Sequence, residues 1–147
     1  MIALDTGILV HARRAETEHH DAARELLKRQ AEGSRPWAIP WPCVYEFIRV
    51  VTHPAIFKPT SGLDSVITSL ESLFASSSLS LLGEGPKHPG HMARALRQGD
   101  ARGNLAFDAH IAALVREHGI KELWTLDRDL ARFSGIRAVN PFEDPGS

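Results

Sequence analysis

The chain has 147 residues, of which 43% are hydrophobic, and its 17 basic and 18 acidic residues give a net charge of −1. This length and composition are typical of one globular domain, and we interpret residues 1–147 as a single domain. The near-neutral charge excludes a generic basic protein that coats nucleic acid, although it allows an enzyme that acts on nucleic acid.

Three further features indicate where the protein works. The sequence contains no run of about 18 apolar residues, so no membrane-spanning helix is expected. The first residues lack a basic segment followed by an apolar core, so no secretory signal is expected. The single cysteine, Cys43, cannot form an internal disulfide. Together these features predict a cytoplasmic protein with no membrane partner.

The predicted elements alternate between short apolar strands and amphipathic helices. In chain order they are a strand at 2–5 (IALD), a helix at 16–33, a strand at 37–40 (WAIP), helices at 42–53 and 63–77, a strand at 79–82 (LSLL), helices at 88–99 and 103–119, a strand at 122–127 (ELWTLD), a helical turn at 128–133 and a strand at 136–139 (IRAV). This alternation predicts an α/β domain around a mainly parallel sheet.

Four acids occupy positions that surface acids ordinarily avoid. Asp5 and Asp127 end predicted strands, whereas Glu46 and Asp108 lie early in mostly apolar helices. In an open α/β sheet, ligand sites form outside the carboxyl ends of the strands. The four carboxylates are therefore predicted to meet at one rim of the sheet.

Each acid also has an interpretation that needs no function. Asp5 is suited to cap the next helix, and Asp127 to start a turn. Glu46 is within reach of Arg49 on the same helix, and the helix dipole favours an acid at the position of Asp108. None of these separate explanations accounts for all four acids at one rim.

A cluster of four carboxylates repels itself unless a cation neutralises it. Oxygen-rich sites of this kind suit Mg²⁺ or Mn²⁺, and we expect one or two ions. Zinc is less favoured, because few histidines and only one cysteine accompany the acids.

Four segments in this order resemble a PIN-domain protein, specifically a VapC-type toxin of a type II toxin–antitoxin system. They are IALDTGILV, VYEFIRVVTHP, NLAFDAHIAALV and LWTLDRDLARFSGIRAVNPF, and the resemblance extends from Ile2 to Pro141. It implies a three-layer α/β/α fold with a central, mainly parallel sheet. It also implies a metal-dependent endoribonuclease that hydrolyses RNA phosphodiester bonds and inhibits translation, a cognate VapB-like antitoxin and a homodimer.

The resemblance also assigns roles to individual residues. It implies four catalytic acids that also hold the metal, namely Asp5, Glu46, Asp108 and Asp127, and three accessory residues, namely Thr6, Thr125 and Asp129. One position departs from the family pattern. The second residue after the first acid is often Asn or Ser in this family, whereas this chain has Gly7.

Gly7 bears on two alternatives to an active nuclease. The first is a catalytically weak or inactive PIN module that binds RNA or a protein. The second is a phosphatase of the haloacid-dehalogenase type, which Gly7 disfavours because the motif of those enzymes has a second Asp at this position. Candidate contacts to the RNA backbone are seven arginines, namely Arg13, Arg14, Arg94, Arg97, Arg102, Arg128 and Arg132.

Overall fold

The computed structural model describes residues 1–143. Its strands are β1 (Ile2–Leu4), β2 (Trp37–Pro40), β3 (Leu79–Leu82), β4 (Glu122–Trp124) and β5 (Arg137–Val139). Its helices are α1 (Thr6–Arg13), α2 (His20–Glu32), α3 (Trp41–Val51), α4 (Leu63–Phe74), α5 (His88–Gly99) and α6 (Leu105–Glu117), and a 3-10 helix (Arg128–Arg132) follows β4.

The five strands form one sheet in the order β3-β2-β1-β4-β5, and every neighbouring pair is parallel. Because crossovers between parallel strands are right-handed, α1–α4 cover one face of the sheet and α5 and α6 cover the other. Helix α1 packs on α2 and α3, and α5 packs on α6. The predicted three-layer α/β/α fold is confirmed, and its sheet is parallel throughout.

The strand order places a crevice at one point of the sheet. The chain runs outward from β1 through β2 to β3 and then returns to β4 on the other side of β1. Leu4 lies beside Trp124 in the register of β1 and β4. Neighbouring connections leave a sheet in opposite directions at such a reversal, so ligands bind there, outside the carboxyl ends of the strands. Asp5 and Asp127 follow these two strands.

The core lies between the sheet and its two helical layers. Leu4, Trp37, Ile39 and Leu123 are fully buried in the sheet. Burying side chains of this size stabilises the fold by about 1.5–3 kcal/mol each relative to exposure, which fixes the strands that carry the acids. Within residues 1–143, no helix is both long and apolar enough to cross a lipid bilayer.

Most element bounds agree with the sequence, and the differences concern the segments after β1 and β4. Strands β2 and β3 and helix α5 have the predicted bounds. Helix α1 was not predicted, and α2 begins at His20 rather than at residue 16. Strand β4 ends at Trp124, so the prediction that Asp127 ends this strand was wrong, and Asp127 instead caps the 3-10 helix.

Candidate metal centre

Four separate elements bring the predicted acids together at the crevice. Asp5 is the N-cap of α1, and Asp127 is the N-cap of the 3-10 helix. Glu46 lies in the middle of α3, and Asp108 lies in the first turn of α6. All four line one cavity of about 350 Å³. The convergence that the sequence predicted is therefore present in the structure.

Asp5 is held at the floor of this cavity. Its side chain is buried, and its Oδ1 accepts hydrogen bonds from Thr6 N at 2.8 Å and from Cys43 Sγ at 3.3 Å. Its Oδ2 accepts one from Thr125 Oγ1 at 2.6 Å. Burial raises the pKa of Asp5, and the three donors oppose that rise. The carboxyl group is thus fixed in orientation before any ligand binds.

Two threonine hydroxyls connect the acids to one another. Thr125 Oγ1 donates its proton to Asp5 and accepts a hydrogen bond from Asp127 N at 2.9 Å, so one hydroxyl positions both segments. Thr6 Oγ1 donates to Glu46 Oε2 at 3.2 Å. A hydroxyl combines one proton with two lone pairs, so it can serve two partners at once. These contacts place both threonines beside the acids.

Asp108 lies in a different environment from Asp5. Desolvation is the main cause that raises its pKa from 3.8 to about 7, and the negative charges of the neighbouring acids, namely Asp127, Asp5, Asp129 and Glu46, contribute the rest. Carboxylate oxygens of Asp108, Asp127 and Asp129 lie within 4.8 Å of one another. Among residues 1–143, no salt bridge joins a basic side chain to any of these three acids.

The donor set fits a hard divalent cation. Most polar groups that line the cavity are oxygen ligands, namely the four carboxylates and the Thr6 hydroxyl, and Mg²⁺ and Mn²⁺ prefer such ligands. His11 also lines the cavity, and its Nδ1 accepts a hydrogen bond from His19 N at 3.2 Å. Cys43 does not add a soft ligand, because burial raises the pKa of its thiol and the thiol donates to Asp5. A cation placed among the acids would offset the desolvation and the repulsion that together hold the Asp108 pKa near 7.

Gly7, where the chain departs from the family pattern, also lines the acid cavity. A Cβ atom added at Gly7 would lie 3.3 Å from Leu126 Cδ1, which is a tight contact. An apolar side chain therefore packs closely against position 7. The change removes one polar group from the wall of the cavity, and all four acids remain.

Sequence reasoning missed three residues that line an adjoining cavity of about 860 Å³, namely Tyr45, Arg49 and Phe107. This cavity shares Glu46, Asp108 and Asp127 with the smaller one. The rings of Tyr45 and Phe107 are 70% and 69% exposed. The available signal was position, because each aromatic residue directly precedes a candidate acid on an otherwise apolar helix.

The seven arginines suggested by the sequence lie elsewhere, and within residues 1–143 none of them lines either cavity. Arg14 shows why. Its guanidinium donates to Ser61 Oγ at 3.1 Å and to the Pro59 carbonyl at 2.7 Å, and it stacks over Phe57. It therefore anchors the loop before α4.

The fold agrees with comparisons to known proteins. The PIN-domain family profile matches residues 2–136. Ribonuclease VapC48 of Mycobacterium tuberculosis is 33% identical over 138 residues, which cover 94% of this chain and 95% of that protein.

Solved structures show the same fold at lower identity. VapBC2 from Rickettsia felis, solved with a DNA fragment from its promoter, superposes with a TM-score of 0.65 at 20% identity, covering 95% of this chain and 98% of that one. VapC20 of Mycobacterium tuberculosis, a toxin that cleaves the sarcin–ricin loop, superposes with a TM-score of 0.64 at 16% identity, covering 93% and 99%. The chain belongs to the PIN-domain family, among the VapC ribonucleases.

Proposed function

We propose that this protein is a Mg²⁺- or Mn²⁺-dependent endoribonuclease and the toxin of a VapBC-type toxin–antitoxin pair. The observation that carries the proposal is the convergence of Asp5, Glu46, Asp108 and Asp127 from four elements on one cavity. The names of the relatives, which are VapC ribonucleases, support RNA as the substrate. In this proposal the four acids hold the ion and form the catalytic site.

The residues of the chain have distinct tasks in this proposal. Asp5, fixed by three donors, provides a rigid oxygen ligand. Thr125 holds the Asp127 segment beside Asp5, because its hydroxyl is hydrogen-bonded to both. Asp108, whose pKa is about 7, would bind the ion as a carboxylate and would therefore lose its proton. Glu46, Asp127 and Asp129 complete the negative wall. When bound, the ion supplies Lewis-acid activation of water and charge neutralisation at the phosphate.

The larger cavity supports single-stranded or looped RNA as the substrate. Tyr45 and Phe107 expose their rings beside the acids, and stacking of bases on such rings contributes about 1–3 kcal/mol per base. Arg49 lines the same cavity and provides a positive charge for the RNA backbone. Bases that are unpaired, as in loops, are the ones that can reach such rings.

A separate groove suits the antitoxin. It has a volume of about 620 Å³, lies between α1, α2 and α4, and has apolar residues such as Leu9, Phe47 and Leu70 in its lining. Arg13, Arg24, Lys28 and His20 also line it. We propose that it receives an apolar and acidic segment of a VapB-like antitoxin. The homodimer implied by the resemblance stays a prediction, which light scattering of the purified protein would test.

The first prediction concerns RNA cleavage. Asp108→Asn should slow metal-dependent cleavage by roughly 100-fold or more, since loss of even an outer partner of a metal ligand costs about 10–100-fold. Asp64→Asn is the matched control, because Asp64 is an exposed acid in the first turn of α4. The measurement is the rate of cleavage of total bacterial RNA and of a sarcin–ricin stem-loop, with Mg²⁺ or Mn²⁺ and with a chelator.

The same assay separates the proposal from an inactive binding module. Cleavage that needs a divalent cation and is lost in Asp108→Asn but kept in Asp64→Asn supports the nuclease. RNA that stays intact in the presence of the wild-type protein and either ion, while the protein still binds RNA, would replace the nuclease with the binding module.

A further inference from the structure

A second group of possible metal ligands lies outside the acid cluster. Glu84, in the loop before α5, His88, at the start of α5, and His110, in α6, each offer one ligand atom, and these atoms lie within 4.8 Å of one another. His110 Nε2 and Glu84 Oε1 are 2.6 Å apart, and the rings of His88 and His110 meet edge to face at 5.6 Å. The group differs chemically from the acid cluster because two of its three ligands are imidazoles.

The orientation of His88 is fixed by a carboxylate behind it. His88 Nδ1 lies 3.0 Å from Glu117 Oε2, and the side chain of Glu117 is only 7% exposed. Glu117 is itself held, because its Oε1 accepts a hydrogen bond from Gly85 N at 2.8 Å. This arrangement leaves His88 Nε2 as the ring nitrogen free for a ligand. A carboxylate on the second nitrogen of an imidazole is the usual support of a metal-binding histidine.

We propose that Glu84, His88 and His110 form a second metal site, which takes a transition-metal ion such as Zn²⁺ in preference to Mg²⁺. Imidazole ligands suit Zn²⁺, whereas Mg²⁺ prefers oxygen ligands and holds its water. Two histidines, one glutamate and an open fourth position form a recurrent tetrahedral zinc arrangement. Glu84 and His110 are accessible to solvent, so an ion can enter from outside.

The position of the site gives it a link to the acid cluster. His110 lies two residues after Asp108 on α6, and both line the larger cavity. An ion held by Glu84, His88 and His110 would tie the loop before α5 to α6 at the edge of this cavity. This inference does not rest on the proposed nuclease activity, because it is tested by binding alone.

The test is a calorimetric titration of the full chain with ZnCl₂, after removal of any histidine tag and treatment with a chelator. Excess Mg²⁺ is present so that it competes for the acid cluster. The wild-type protein should bind one Zn²⁺ per chain, and His88→Gln and His110→Gln should each weaken binding by about tenfold or more. His53→Gln is the matched control, because His53 is exposed and lies in the turn after α3.

Two further measurements make the outcome decisive. The X-ray absorption spectrum of the zinc complex should show two imidazole ligands, and Asp127→Asn should leave this spectrum and the Zn²⁺ affinity unchanged. Far-ultraviolet circular dichroism checks that each variant is folded. Failure of the wild-type protein to bind Zn²⁺ would overturn the proposal, as would unchanged Zn²⁺ affinity in folded His88→Gln and His110→Gln. The group would then be two hydrogen-bonded pairs, one joining the loop before α5 to α6 and the other joining α5 to α6.

Discussion

The two sides of the acid cavity differ in the hydrogen bonds that they offer to a carboxyl group. On the floor, Asp5 is buried, and three donors engage its two oxygens. On the α6 side, Asp108 is half-buried, accepts no hydrogen bond from a described residue, and has a pKa near 7. Three donors of the folded chain offset part of the cost of burying the Asp5 carboxylate, whereas no described donor offsets the burial and repulsion at Asp108.

This difference indicates a division of labour within one site. The floor is organised when the protein folds, because its three donors come from separate parts of the chain: Thr6 begins α1, Cys43 lies in α3, and Thr125 directly follows β4. The α6 side keeps a mutual repulsion among Asp108, Asp127 and Asp129 that ion binding would relieve. Repulsion among these acids destabilises the metal-free protein, and relief of that repulsion would contribute to the affinity for the ion.

The largest expected effect separates Asp5 from Asp108 by their influence on stability. In the metal-free protein, Asp5→Asn should lower the free energy of unfolding by about 1–3 kcal/mol. The NH₂ group of the amide would replace one acceptor oxygen and would face a hydrogen-bond donor that now binds Asp5. Asp108→Asn should raise the free energy of unfolding at pH 8, because a neutral side chain is not repelled by the neighbouring acids. Chemical denaturation of both variants, with Asp64→Asn as control, measures the difference. Equal destabilisation by both substitutions would contradict the comparison.

A smaller effect concerns pH. The pKa of Asp108 is near 7 in the metal-free protein and near its ordinary value of 3.8 in the unfolded chain. The protonated form therefore favours the fold at low pH, and this contribution is lost as the pH rises through about 7. Mn²⁺ requires the carboxylate, so its apparent affinity should fall by up to about tenfold per pH unit below 7.

The measurement is Mn²⁺ affinity at several pH values between 6 and 8, in roughly equal steps around the pKa of Asp108. The wild-type protein should show the loss of affinity towards pH 6, and Asp64→Asn should follow the same curve. A wild-type affinity that is independent of pH over this range would show that Asp108 carries no proton that the ion must displace.

The smallest expected effect concerns Gly7. A serine there would return a hydroxyl to the cavity wall, and one hydrogen bond is worth about 0.5–1.5 kcal/mol, or roughly 2- to 10-fold in rate or affinity. The tight approach to Leu126 Cδ1 at 3.3 Å offsets part of that gain. We expect Gly7→Ser to raise the cleavage rate a few-fold, and Gly7→Ala, which adds the Cβ without the hydroxyl, to lower it slightly. If Gly7→Ser and Gly7→Ala changed the cleavage rate by the same factor, a role for the hydroxyl would be excluded.

Much of the fold and the set of acids followed from the sequence because both depend on local patterns. The strands WAIP and LSLL are short apolar runs with clear boundaries, and the acids stand out against apolar neighbours. Helix α1 was missed because Ile8, Leu9 and Val10 continue the apolar run of β1 after Asp5. A short apolar run does not distinguish strand from buried helix, and the tertiary structure decides between them.

The supporting contacts could not be predicted, because they join residues distant in sequence. The bond from Thr125 to Asp5 spans 120 positions, and the bond from Cys43 to Asp5 spans 38. The resemblance identified Thr125 as an accessory residue, but neither its partner nor the role of Cys43 followed from the pattern. The exposure of Tyr45 and Phe107 likewise depends on how α3 and α6 face each other across the cavity.

The central claim is that these acids bind a divalent cation, and the most direct test is electron paramagnetic resonance of Mn²⁺ titrated with the protein. We predict that the wild-type protein and Asp64→Asn bind Mn²⁺, and that Asp108→Asn binds it at least about tenfold more weakly. Equal Mn²⁺ affinity in wild-type protein and folded Asp108→Asn, or no binding by the wild-type protein at millimolar Mn²⁺, would contradict the claim.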